Sequence, residues 1–141
     1  MKAAHVPLKS LLAAYLVGLV FFLLQQFLLL RVLGFINHPL ALLGSAPDPL
    51  RALALWNLAE RLLCVLLAGW PTTWLLRRLS ATPQAGLVIT FSAAMVAGTL
   101  AGLTGYYSAP GLFPLWVRLL DIGLVIIALP LLNSHFLWVR N

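Results

Sequence analysis

Between Lys9 and Arg31 the chain runs for 21 residues, Ser10 to Leu30, without a charged side chain. A helix needs about 20 apolar residues to cross the roughly 30 Å hydrocarbon core of a bilayer, since each residue advances it by ~1.5 Å. The run is longer than a signal-peptide core, and no small-x-small cleavage pattern closes it. It is predicted to be a retained first transmembrane helix. That helix should end near Phe35, because Asn37-His38-Pro39 is turn chemistry.

Three more segments obey the same rule. Spans are predicted over about 10–35, 51–76, 86–107 and 114–136, within one transmembrane domain covering 1–141. The connection over 37–50 holds Pro39, Gly44, Pro47 and Pro49, the turn over 77–86 reads RRLSATPQAG, and 108–114 reads SAPGLFP. Pro114 suits the first position of the fourth helix, and Pro71 and Pro130 are expected kinks. The fold class is therefore all-α, an integral membrane bundle of four transmembrane helices.

Composition agrees. The chain is 62% apolar and 9% charged, where soluble domains carry about 45–50% and about 25%. Little length is left for an extramembrane domain, so any activity is expected in or at the bilayer. The net charge of +6 is spread thinly at the ends of apolar runs, which marks topology rather than nucleic-acid binding. Cys64 is the single cysteine, which excludes an intramolecular disulfide.

Four spans put both termini on one side. Lys2, Lys9, Arg77, Arg78 and Arg140 fall on that side, against Arg31 and Arg51 on the other, offset by Asp48. The positive-inside rule then predicts cytoplasmic termini in a bacterial-type inner membrane. Trp116, Trp138, Tyr106 and Tyr107 fall near span ends, where amphipathic rings prefer the headgroup level.

Within this apolar frame, charges at depth stand out. Asn57, Glu60, Arg61 and Cys64 fall within an arc of about 100° on the second span, and Ala68 and Pro71 extend the stripe. Glu60 lies ~13 Å beyond Arg51, and Asp121 lies ~10 Å beyond Pro114 with Arg118 one turn earlier. Gln25 and Gln26 lie below Arg31 on a face shared with Tyr15, Gly18 and Phe22. A lone charge near the bilayer centre costs roughly 2.5–3.5 kcal/mol on insertion scales, so such groups pair or line a cavity. A cluster of Glu60, Arg61, Arg118 and Asp121 is expected, completed by Asn57 and the glutamines. It would serve either to lock the helices together or as a site: a proton-coupled carboxylate, or Arg61 and Arg118, favoured by Arg31, holding an anionic headgroup or substrate.

The third span carries small residues at Ala94, Gly98, Gly102 and Gly105, and again at Ala97 and Ala101. That pattern lets helix backbones approach closely, within this bundle or against another membrane subunit. Arg77 and Arg78 suit topology or an anionic lipid headgroup.

No nucleophile motif or phosphate loop appears. His5, His38 and His135 are expected at different levels, unable to gather a metal with Cys64. Arginines near both Glu60 and Asp121 suit ion pairing better than acid–base catalysis. No cofactor or metal is expected. The leading expectation is a non-enzymatic subunit or accessory factor of a membrane assembly, in contact with lipid and with a larger membrane-protein partner. The alternative is a homo-oligomeric transporter, flippase or channel component with an outer-leaflet polar site for an anionic or lipid-linked ligand; an intramembrane lipid-acting enzyme ranks third.

Overall fold

The computed structural model describes residues 8–32, 47–80, 82–108 and 114–134. They form four helices: α1 Leu8–Phe27, continued by a π-helical turn Leu28–Val32; α2 Pro49–Leu79; α3 Pro83–Ser108; and α4 Leu115–Leu132. No strand occurs among the described residues. All four are long and apolar enough to cross a membrane. At 31 residues, α2 spans ~46 Å, so it must tilt or extend past the hydrocarbon core.

Local chemistry sets the helix ends. Asp48 caps α2, its Oδ1 accepting from the Arg51 amide at 3.2 Å, while Pro49 fills a first-turn position where no N–H is needed. At the far end the Ser80 hydroxyl donates to Leu76 O at 2.7 Å. Thr82 opens α3, its Oγ1 accepting from the Ala85 amide at 3.2 Å, again with proline next. Pro114 occupies the N-cap of α4 rather than its first helical position. Pro71 and Pro130 both lie within continuous helices.

Around the bundle the order is α1, α3, α4, α2. Each helix packs mainly on its two neighbours in that ring, and α2 and α3, although joined by a short turn, touch little. Small residues explain the central place of α3. A Cβ at Gly18 of α1 would lie 2.7 Å from the Ala93 carbonyl oxygen and 2.9 Å from Val96 Cβ, so α1 and α3 meet backbone against backbone. On the other side of α3, a Cβ at Gly98 would run into Ile126, and one at Gly102 would lie 3.2 Å from Ile122 Cδ1.

The core uses Val17, Phe21 and Phe22 from α1, Val65, Ala68 and Leu76 from α2, Ile89, Ala93 and Ala97 from α3, and Val125 and Leu129 from α4. Large apolar side chains also cover the outside, among them Leu12, Leu23, Leu66, Phe91, Leu119 and Ile127. A chain apolar both inside and outside suits lipid as its solvent, because its helices satisfy their own backbone hydrogen bonds. The protein is a helical membrane protein.

Candidate functional site

An ionic link joins two helices across the bundle. Arg61 Nε donates to Asp121 Oδ1 at 2.8 Å, joining α2 to α4, and the two side chains are 10% and 17% exposed. Helical geometry turns Arg61 inward: Asn57, Arg61, Cys64 and Ala68 recur at three- and four-residue steps, and the last three are buried. Pro71 does not continue this stripe; it is exposed, and the fully buried Thr72 lies beside it. One Arg61 nitrogen, Nη1, is buried without a hydrogen-bond partner.

A second polar link repeats the same register. Asn133 Nδ2 donates to Thr73 Oγ1 at 3.3 Å, and both this pair and Arg61–Asp121 are 60 residues apart in sequence. Parallel helices held in one register give such a constant offset. The two links lie ~18 Å apart along α2 at ~1.5 Å per residue.

Of the other expected members of the cluster, Arg118 lines a crevice together with Asp121. Glu60 Oε1 accepts from Trp56 Nε1 at 2.8 Å, one turn earlier on the same helix. Neither Glu60 nor Arg118 is an isolated charge. Gln25 is fully buried, yet among the described residues neither its amide nitrogen nor its oxygen has a partner. It therefore does not complete the hydrogen bonds of the charged pairs, because the links seen at that end run between α2 and α4. Gln26 and Asn57 are half-buried. Tyr15, at 57% exposure, points away from the buried face that holds Gly18, Phe22 and Gln25.

Asp121 also fronts a cavity. Between α3 and α4 a crevice of about 200 Å³ is bounded by Gly102 and Gly105 on one side and by Leu115, Arg118, Asp121 and Ile122 on the other. Gly105 makes this space: a Cβ there would meet nothing within 4 Å. Within this bundle Gly105 takes no part in close helix packing, since the α3–α4 approach ends one turn earlier at Gly102. Ala94 and Gly98 are buried in that approach. A wider cavity of about 630 Å³ opens at the same end, lined by Asp48, Arg51, Leu55, Pro114 and Trp116.

At the opposite end Arg77 and Arg78 are exposed, and Arg78 stacks over the Trp74 ring at 5.0 Å from its centroid. The side chains of Arg31, Tyr106 and Tyr107 lie outside the described residues, as do His5, His38, His135, Trp138, Lys2 and Arg140. Among the described residues no three His, Cys, Asp or Glu side chains come together, and Cys64 is a buried free thiol.

Two features escaped the sequence reading. Trp56 as the Glu60 partner was visible in the four-residue spacing that brings helical side chains together. The Thr73–Asn133 link carried no such signal, because it depends on the register of two helices distant in the chain. No protein-family model, curated protein or solved structure matches this chain.

Proposed function

We propose that this is a multi-pass inner-membrane protein with cytoplasmic termini, working as a non-enzymatic subunit or accessory factor of a membrane assembly. In this reading the α3–α4 crevice lies in the outer half of the bilayer and receives one charged group from a larger membrane-protein partner. The observation that carries the proposal is the crevice itself, a cavity of about 200 Å³ with a guanidinium and a carboxylate on its wall and two glycines opposite.

Its size supports a docking role over a substrate site. Small-molecule pockets usually enclose about 300–1,000 Å³, so this crevice suits a single headgroup or side chain. Its chemistry supports the same view, because a charged group entering from lipid would find both signs of charge already in place. Partnering between membrane helices relies on close packing and polar contacts of this kind.

Purification in a mild detergent tests the proposal. The wild-type chain is expected in a larger assembly, and Gly105→Trp, which fills the crevice, is expected to keep its helicity but leave that assembly. A chain that runs alone and by itself reconstitutes transport would overturn it.

A second reading is favoured by Arg118 on the crevice wall. Here the chain is a transporter or flippase component, and the crevice holds the anionic headgroup of a lipid-linked ligand. Copies of the chain would complete the path, since the core beyond the Arg61–Asp121 level is built from Phe21, Val65, Leu129 and other apolar side chains.

A further inference from the structure

The end of the bundle that carries the α2–α3 turn holds a further cavity, of about 360 Å³, lined by Trp70, Thr73, Trp74 and Arg77 of α2 and Leu132 of α4. The four α2 residues follow one another at steps of three, one and three, which places them along one helix face. We propose that this cleft is a binding site for the phosphate-bearing headgroup of an anionic phospholipid, separate from the crevice between α3 and α4.

Among the described residues the donors in the cleft are unspent. Arg77 is exposed, and its guanidinium has no ion-pair or hydrogen-bond partner among the described residues. Thr73 differs from Thr72, Thr90, Thr99 and Thr104, whose hydroxyls all donate back to carbonyls of their own helices. Its oxygen instead accepts from Asn133 Nδ2 at 3.3 Å, which leaves the hydroxyl hydrogen to donate. A guanidinium and a hydroxyl one turn apart, with no carboxylate among the described residues lining the same cleft, match the acceptor oxygens of a phosphodiester.

The walls suit the rest of a lipid. Trp70 is 82% exposed and Trp74 60% exposed, two indole rings one turn apart that combine a broad apolar face with an N–H donor. Leu132 closes the other side, and it lies so near Gly69 that a Cβ there would run into it. Arg78 is already engaged with the Trp74 ring, which holds that ring as a wall and leaves Arg77 to face the headgroup. The cavity at the opposite end has Arg51 on its wall but also Asp48, a carboxylate that would repel a phosphate.

Native mass spectrometry of the full chain in a non-ionic detergent, titrated with phosphatidylglycerol or phosphatidylcholine, tests the site. The wild type is expected to retain one phosphatidylglycerol in preference to phosphatidylcholine. Arg77→Gln should weaken that retention about fivefold, the worth of one basic side chain at an anionic membrane surface. Thr73→Val should weaken it too, Arg77→Lys should lose less than Arg77→Gln, and Arg51→Gln should change nothing. Equal retention of both lipids would overturn the proposal. So would equal losses from Arg77→Gln and Arg78→Gln, which would mean diffuse attraction to basic charge. Complete displacement of the lipid by millimolar inorganic phosphate would also overturn it, by assigning the cleft to a soluble anion.

Discussion

Removing either partner of the Arg61–Asp121 pair should cost far more than removing both. Asp121→Leu leaves a guanidinium that is 8% exposed as a whole residue and already has one nitrogen without a partner. Stranding a buried charge costs about 3–5 kcal/mol, and the low exposure of Arg61 calls for little reduction by solvent screening. Arg61→Met should cost less, about 2–3 kcal/mol. It strands Asp121, whose side chain is 17% exposed and fronts a crevice shared with Arg118. The double variant replaces the pair with two apolar side chains in an apolar setting and should recover at least ~2 kcal/mol of the summed loss. Unfolding in mixed micelles by titration with sodium dodecyl sulfate, followed by circular dichroism, gives the four free energies of this cycle. Losses that add to within ~0.5 kcal/mol would refute direct pairing, and a larger loss for Arg61→Met than for Asp121→Leu would refute the reasoning that Asp121, beside Arg118 at the crevice, is the less isolated of the two charges.

Other outcomes follow from single positions. Gly18→Ala should destabilise the bundle by about 1–3 kcal/mol, because its methyl would lie 2.7 Å from a backbone carbonyl oxygen that cannot move aside; Gly105→Ala, facing open space, should be neutral in the same assay. Gln25→Met should raise stability by about 1 kcal/mol or more, since it removes two buried amide atoms that lack partners; a loss would reveal water or a ligand group bonded to that amide. Cys64 is 0% exposed, so a membrane-impermeant maleimide should label it far more slowly in native protein than after denaturation. Fast native labelling would show that water reaches the stripe below Arg61.

The four apolar runs made the helices legible because lipid imposes a minimum length that composition alone can meet or miss. Their arrangement was harder to read. The small residues of α3 announced a close approach, but nothing in Gly98 or Gly102 says that Ile126 and Ile122 will fill the space, or that Gly18 of α1 will press on the other side. The depth of the charges could be counted from the span ends. Which of them pair could not, since Arg61 and Asp121 are 60 residues apart and their meeting depends on a register fixed by the whole bundle. The glutamines show the limit most clearly. That Gln25 lies on a buried face followed from helical spacing, but spacing carries no information about whether a hydrogen-bond partner stands opposite, and among the described residues Gln25 has none.

If the crevice between α3 and α4 receives a charged group from a membrane-protein partner, a photo-reactive diazirine analogue of leucine at Leu119, in cells, should capture that partner. Leu119 already lines the crevice, so the probe leaves its space open. Leu120, the neighbouring position on a face of α4 that does not line the crevice, is the control; the two are 59% and 51% exposed. A discrete protein adduct is expected from position 119 and not from position 120. A lipid-linked adduct confined to 119 would favour the transporter reading instead, and identical adducts from both positions would contradict a role for the crevice in either.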